Sequence, residues 1–167
     1  MKIINIVGWS GSGKTTLVIK LINEIKNRKK SISTMKHAHH DFDIDQPGKD
    51  SYKHREAGAE EVLISSGKRW ALMSENNIGS ESNLIYLISK MKPVDVLIIE
   101  GWKYSNLKKI EVYRPEIGKP RITNINDNLV AIATNLMNLE VSEKIPIFNL
   151  NNTKEICDFI LNLEGNY

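Results

Sequence analysis

Gly8-Trp9-Ser10-Gly11-Ser12-Gly13-Lys14-Thr15 is the most informative segment of this chain. It matches the phosphate-loop (Walker A) pattern G-x-x-x-x-G-K-[ST] at every fixed position. Residues 3–7, which precede it, form a short β-branched run suited to a buried strand. After it, apolar residues recur at helical spacing from Leu17 to Ile25. This order of strand, glycine loop and helix makes the match much more specific than the bare pattern.

The residue types in the loop suit the binding of a nucleoside triphosphate. Glycine leaves room for a phosphate against the main chain, and successive N–H groups then converge on its oxygens. Lys14 is expected to reach the β- and γ-phosphates, and the Thr15 hydroxyl to join a Mg²⁺ shell. A glycine-rich turn before an ordinary helix is the alternative, and the matched flanks count against it. The loop residues predicted to bind the nucleotide are Gly8, Ser10, Gly11, Ser12, Gly13, Lys14 and Thr15.

Size, charge and cysteine content limit the class of protein. The 167 residues, 41% of them hydrophobic, predict one compact nucleotide-binding domain over 1–167. A net charge of +3 is too balanced to favour nucleic acid or a membrane as the main partner. The single Cys157 excludes an internal disulfide and fits a reducing, cytoplasmic location. Neither a signal peptide nor a membrane span is expected, because Asn5 interrupts the first apolar run and no long apolar run follows.

Hydrophobic periodicity predicts strands that alternate with helices. Helices are expected at 14–28, 51–57, 81–91 and from about 152, and strands at 31–36, 61–65, 69–73, 94–101, 109–114, 129–133 and 146–148. Ser80 is the candidate N-cap of the third helix, and Asn152 with Glu155 resembles a capping box at the start of the last. The alternation predicts an α/β, P-loop NTPase-like fold with a mostly parallel sheet and helices on both faces.

Residues 102–128 are predicted to leave the main sheet as a β excursion. Residues 109–114 alternate between polar and apolar, which predicts a half-exposed strand. Pro115, Gly118 and Pro120 then break the chain.

A phosphate loop with Mg²⁺ requires an acidic partner, and the strand at 94–101 offers two. Asp95 and Glu100 are five residues apart, roughly 16 Å in an extended strand, so only one can lie near the nucleotide. Ligands of open α/β sheets bind beyond the carboxyl ends of the strands. We therefore assign Glu100 to the Mg²⁺ or its water shell and, with Lys14, to catalysis. Gly101 is expected in a tight turn beside the phosphates, and Asp95 at the start of the strand.

The polar segment 36–50 contains three of the four histidines and four aspartates. A calcium loop is excluded, because Gln46 replaces the required glycine and Tyr52 the final glutamate. Two interpretations stay open: a transition-metal site of imidazole and carboxylate ligands, and a nucleotide or substrate loop, which is favoured. The alternative for the basic residues of this set is that they are solvent-exposed charges of a helix with no ligand. The substrate-loop candidates are His37, His39, His40, Asp43, Lys49, Asp50 and Arg55, and Asp45 is a candidate metal ligand.

Four segments share features with one known family. They are G-W-S-G-S-G-K-T-T at 8–16, K-H-A-H-H-D-F-D-I-D-Q-P-G-K-D-S at 36–51, H-R-E-A-G-A at 54–59 and I-I-E-G-W-K at 98–103. Together they resemble the molybdopterin-guanine dinucleotide biosynthesis protein B (MobB) family, most strongly as far as about Arg114. Many families share the phosphate loop, whereas the His–Asp segment joined to P-G-K-D-S is far more specific.

The resemblance implies a GTP-binding protein that assists attachment of GMP to molybdopterin by supplying nucleotide to a partner guanylyltransferase. It also implies weak GTP hydrolysis, dependence on Mg²⁺ and a homodimer formed with the region after the Glu100-Gly101 pair. The guanine signature N-K-x-D is absent, and Thr134-Asn135 is the nearest candidate at a strand end. By resemblance, phosphate binding is carried by Gly11, Ser12, Gly13, Lys14, Thr15 and Thr16.

Two other classes compete with the accessory GTPase. A small-molecule kinase shares the phosphate loop but normally closes an arginine-bearing lid over the transferred phosphate. The five arginines form no lid-like cluster in the sequence, which counts against a kinase. A nickel-type metallochaperone GTPase would use His37, His39 and His40 as ligands.

Overall fold

The computed structural model describes residues 1–38, 42–76, 83–122, 128–136, 138–141 and 144–164. A 3-10 helix covers Pro115–Ile117. The α-helices in these ranges are α1 (Lys14–Asn27), α2 (Asp50–Glu56), α3 (Leu84–Ser89) and α4 (Thr153–Asn162). The strands are β1 (Lys2–Val7), β2 (Ile32–Lys36), β3 (Glu61–Ser65), β4 (Trp70–Ser74), β5 (Val96–Glu100), β6 (Lys109–Tyr113), β7 (Leu129–Thr134) and β8 (Ile147–Asn149).

The chain divides into two compact units. One, the sheet unit, comprises residues 1–37 and 91–167, and the other, the hairpin unit, comprises residues 38–90. The sheet unit contains six strands in the order β2-β5-β1-β6-β7-β8, with every neighbouring pair parallel. The predicted α/β class with a mostly parallel sheet is confirmed. A single domain over 1–167 stays a prediction.

The core of the sheet unit lies between the sheet and the helices α1 and α4. The four residues 96–99 of β5 have no exposed surface, as expected for a parallel strand covered on both faces. Leu17, Leu21 and Ile25 lie on one stripe of α1 and belong to the same apolar cluster as alternate residues of β1 and β5. The burial of this stripe holds α1, and therefore the loop before it, against the end of β1.

The half-exposed character predicted for 109–114 is wrong, because β6 lies inside the main sheet between β1 and β7. Lys109 and Glu111 are each 1% exposed. Glu111 accepts hydrogen bonds from Ile122 N (2.6 Å) and Arg121 Nε (3.2 Å), so its charge is buried with partners. The alternation of polar and apolar residues was therefore not a sign of a solvent face. Residues 102–128 were predicted to leave the main sheet, but the β6 part of this segment is a strand of that sheet.

Two helix starts differ in how well the sequence predicted them. The N-cap predicted for the last helix is confirmed, because Asn152 Oδ1 accepts from Glu155 N (3.4 Å). The return contact differs from a capping box: Asn152 Nδ2 donates to Glu155 Oε2 (2.9 Å), while Asn152 N donates to the Asn149 carbonyl oxygen. The third helix begins later than predicted, with Asn83 as its N-cap accepting from Ile85 N at 2.8 Å. The predicted cap Ser80 lies outside the described residues.

The hairpin unit is built on β3 and β4, which pair antiparallel. Leu63 lies opposite Leu72, and Trp70 opposite Ser65, so the three apolar side chains share one face. The exposed fractions of Leu63, Leu72 and Trp70 are 60%, 45% and 60%, respectively. We call this face the apolar hairpin face.

No helix among the described residues is long and apolar enough to cross a membrane.

Candidate nucleotide-binding site

The glycine loop follows β1 directly and leads into α1. Gly8 is buried, and a Cβ there would lie 2.6 Å from both the Val112 carbonyl oxygen and Ser12 Oγ. Only glycine therefore allows the chain to leave β1 so close to β6. Gly13, in the left-handed conformation, is the N-cap of α1, so the amides of the loop precede a helix of 14 residues. This is the strand, loop and helix arrangement that binds phosphate in other proteins.

Lys14 folds back over the loop. Its Nζ donates to the Trp9 carbonyl oxygen at 2.9 Å, which holds the ammonium group at the mouth of the loop. Burial lowers the pKa of Lys14 below its ordinary value of 10.5, the nearby Glu100 carboxylate acts in the opposite direction, and Lys103 and Lys36 lower it further. A site that holds several cations close together suits a polyanionic ligand.

Thr15 and Glu100, the two residues predicted to hold Mg²⁺, are in direct contact. Thr15 Oγ1 donates to Glu100 Oε1 at 2.8 Å. A hydroxyl and a carboxylate are hard oxygen ligands, so this pair fits Mg²⁺ chemically. Asp95 lies at the other end of β5, where its Oδ2 accepts from Ser31 N and Ser31 Oγ at 2.8 and 2.7 Å. The prediction that Asp95 is a strand-start residue is confirmed.

Beyond Glu100 the chain turns sharply against His37. A Cβ on Gly101, whose φ is +105°, would lie 2.7 Å from His37 Cβ. The His37 ring stacks on Trp102 with centroids 4.6 Å apart, and His37 N donates to the Glu100 carbonyl oxygen at 2.8 Å. Gly101 N donates to the Ile6 carbonyl oxygen at 3.1 Å, which keeps the turn beside β1. The tight turn predicted at Gly101 is therefore present, and it is specific to glycine.

A basic and aromatic rim that the sequence did not indicate surrounds Trp9. The indole Nε1 donates to the Pro120 carbonyl oxygen at 2.6 Å. The ammonium groups of Lys103 and Lys119 lie 4.7 and 6.0 Å from the centre of the indole ring. These are cation–π contacts between residues about 100 positions apart, and no local pattern in the sequence encodes them.

The His–Asp segment is only partly described. His39 and His40 lie outside the described residues. Asp45, predicted as a metal ligand, is 7% exposed and accepts from Arg55 Nη2 (3.2 Å) and Nε (3.4 Å). Asp43 accepts from Arg55 Nη2 at 2.9 Å, and Glu75 lies 3.8 Å from Arg55 Nε.

Arg55 is the centre of an ion-pair cluster within the hairpin unit. Hydrogen bonding to Asp45 raises the pKa of Arg55, so the guanidinium stays paired with these carboxylates. Asp45 and Arg55 thus form an ion-pair cluster in this structure, and the metal role of Asp45 and the substrate role of Arg55 stay predictions. Asp50 and Lys49 are exposed at the start of α2. Within the described ranges, no three His, Cys, Asp or Glu side chains are grouped so that they could hold a metal.

Thr134 and Asn135, the candidate residues for contact with guanine, lie at and just after the end of β7. Thr134 is buried and its Oγ1 accepts from Leu136 N at 3.1 Å. Asn135 is exposed and its Nδ2 donates to Glu116 Oε1. Their side chains therefore order the ends of β7 and of the segment after β6.

The parallel sheet, with a glycine loop between β1 and α1 and a carboxylate at the end of β5, defines a P-loop NTPase-like α/β protein. The chain belongs to the MobB family, described as "Molybdopterin guanine dinucleotide synthesis protein B", whose sequence model matches residues 3–135.

Two relatives support this membership, and two solved structures share the fold. The chain is 38% identical over 157 residues to the molybdopterin-guanine dinucleotide biosynthesis adapter protein of Escherichia coli K12, covering 92% of this chain and 87% of that protein. It is 37% identical over 162 residues to the adapter protein of Haemophilus influenzae, with 96% and 88% covered. The crystal structure of Bacillus subtilis MobB superposes with a TM-score of 0.75 at 24% identity, covering 99% of this chain and all of that one. A further crystal structure of molybdopterin-guanine biosynthesis protein B gives 0.72 at 23% identity, with 97% and 99% covered.

Proposed function

We propose that this protein is a GTP-binding adapter of molybdenum cofactor biosynthesis that assists conversion of molybdopterin to molybdopterin guanine dinucleotide. It binds GTP with Mg²⁺ in the glycine loop, hydrolyses it weakly, and supplies nucleotide to a partner molybdopterin guanylyltransferase. The observation that carries the proposal is the Thr15–Glu100 hydrogen bond at the mouth of the loop, in a chain of the MobB family. A hydroxyl and a carboxylate in contact beside Lys14 provide the ligands that a magnesium nucleotide requires.

The nucleotide part of the proposal is tested by calorimetry with GTP, ATP and Mg²⁺. We expect GTP to bind much more tightly than ATP, and Lys14→Ala to abolish most of the binding. Undiminished binding of GTP by that variant would overturn the proposal. A preference for ATP together with a phosphorylated product would support the kinase instead. Stoichiometric binding of Ni²⁺ at micromolar concentration in equilibrium dialysis would support the metallochaperone.

The guanine preference rests mainly on the family resemblance. One described feature supports it: the Glu116 carboxylate, held by Asn135 beyond the ends of β6 and β7. A carboxylate accepts hydrogen bonds from the N1–H and the amino group of guanine, and adenine offers no such pair of donors there.

We also propose a homodimer in the cytoplasm. The family resemblance supports it, and the described surface offers two candidates for the contact with a second copy. One is the apolar hairpin face, and the other is the single side chain of Tyr104, which is 96% exposed in the segment predicted to form the dimer. Sedimentation of Leu72→Lys and Tyr104→Lys identifies the interface, because a charge in a buried interface shifts the protein towards monomer. A wild-type protein that sediments as a monomer at high concentration would contradict the dimer.

A further inference from the structure

Two buried polar atoms beside the glycine loop lack a hydrogen-bond partner within the part of the chain that the structure describes. They are Ser12 Oγ, in the loop itself, and Arg114 Nε, just after β6. Buried polar groups are normally satisfied, because an unpaired buried donor loses its hydrogen bonds to water without replacement. An unsatisfied guanidinium donor next to an anion-binding loop therefore points to an anionic ligand.

The strand order brings Arg114 to this position. β6 pairs in parallel with β1, and Val7 lies opposite Glu111. Arg114 comes directly after the end of β6, and the glycine loop comes directly after Val7 at the end of β1. Both therefore lie beyond the same edge of the sheet. The place where a Cβ of Gly13 would stand is 3.3 Å from Arg114 Nη2 and 3.6 Å from its Nε. The guanidinium group packs against the last glycine of the loop.

The Glu116 carboxylate, which lies close enough to Arg114 to interact electrostatically, does not use these donors. Glu116 interacts with Arg114 only through space, while its hydrogen bonds come from its own backbone and from Asn135. The other described arginines near the sheet unit's surface are engaged differently: Arg28 pairs with Glu24 and Asp158, and Arg121 with Glu111. Arg114 thus combines a charged fork, a free Nε within the described residues and a place against the loop.

We propose that Arg114 is a positioning residue for the α- and β-phosphates of the bound nucleotide. Loop amides cradle the α/β-phosphates, whereas the loop lysine reaches towards the β/γ-phosphates, so a guanidinium beside Gly13 faces the former pair. Its planar fork suits two phosphate oxygens at once, which a lysine ammonium does not match. The inference rests on the proposed nucleotide binding and adds a residue that the phosphate-loop motif does not contain.

The test compares Arg114→Gln, Arg114→Lys and Arg69→Ala in calorimetric titrations with GTP, GDP and GMP. Arg69→Ala is the matched control, because it removes an arginine charge from the exposed turn of the hairpin unit. For Arg114→Gln we expect GTP and GDP to bind at least about tenfold more weakly, because the loss of one charged hydrogen bond lowers affinity by about that factor. The affinity for GMP should fall less. Arg114→Lys should recover part of the loss, and Arg69→Ala should match the wild type. Thermal unfolding of each variant establishes that it is folded.

The outcomes separate the two proposals. If the wild type binds GTP and Lys14→Ala does not, but folded Arg114→Gln binds GTP within twofold of the wild type, the role of Arg114 is overturned and nucleotide binding stands. A loss confined to GTP, with GDP binding unchanged, would overturn the assignment to the α- and β-phosphates. If the wild type binds neither GTP nor inorganic pyrophosphate, both proposals fail.

Discussion

Thr15 Oγ1 donates a 2.8 Å hydrogen bond to Glu100 Oε1, so the first turn of α1 is joined directly to the carboxyl end of β5. These residues are 85 positions apart and meet because β1 and β5 pair in parallel, with Ile6 opposite Glu100. The contact places the two proposed Mg²⁺ ligands side by side before any nucleotide arrives. Such preorganisation is what a magnesium-dependent site requires.

Glu100→Gln is expected to lower magnesium-dependent GTP hydrolysis by at least about tenfold, because an amide neither balances the metal charge nor ligates it as well as a carboxylate. Asp95→Asn is the matched control: it makes the same chemical change on the same segment at the opposite end of β5. Its turnover should equal that of the wild type. Phosphate release measured at several Mg²⁺ concentrations checks both. Equal losses in the two variants would refute the assignment of Glu100.

Nucleotide affinity should decline at alkaline pH, and earlier than the ordinary lysine value of 10.5 implies, since burial lowers the pKa of Lys14. Phosphate binds the protonated ammonium, so affinity is constant below the pKa of the folded protein and falls as the pH rises through it. Lys14→Arg keeps its charge over this range and should show a flatter profile. Calorimetry with GDP from pH 7 upwards checks this, and titration of the nucleotide itself is common to both proteins. Identical declines in the two proteins would count against Lys14.

Asp95→Asn is expected to be less stable than the wild type at neutral pH. Hydrogen bonds from Ser31 lower the pKa of Asp95 below 3.8, so the ionised carboxylate is favoured in the folded state. This stabilisation is present above the unfolded value of 3.8 and is lost as the pH falls through the lower, folded value. The difference in unfolding midpoint between the proteins should therefore shrink below pH 3.8. A difference that does not change with pH would contradict the ionic origin.

Glu111→Ala is expected to destabilise the protein by about 3 kcal/mol, because it leaves the partners of a buried carboxylate unpaired. Glu111 is 1% exposed and binds both Arg121 and the Ile122 amide. Lys53→Ala removes one side of an exposed pair with Asp50, 4.0 Å apart, and should change stability by less than about 0.5 kcal/mol. Urea unfolding of both variants measures the difference. A loss for Glu111→Ala as small as that of Lys53→Ala would show that the buried pair contributes little.

Features encoded over short stretches could be predicted from the sequence. The glycine loop, the helix after it and the strands β3 and β4 follow from local spacing. The choice of Glu100 over Asp95 followed from a general rule, that ligands of parallel sheets bind at the carboxyl ends of the strands. The boundaries of α3 were missed because a weak apolar period does not specify where a short helix begins.

The sequence by itself determined the class of fold and the loop at its centre, since strand, glycine loop and helix are specified by residues that are neighbours in the chain. Only the tertiary structure decided which distant side chains other than Glu100 meet that loop. It inserts β6 between β1 and β7, and this both buries Glu111 and carries Arg114 to Gly13. It also brings Lys103 and Lys119 to Trp9, and commits Arg55 to Asp45. The physical reason is that periodicity records which face of an element is apolar, but strand order and the pairing of remote charges depend on how the elements pack.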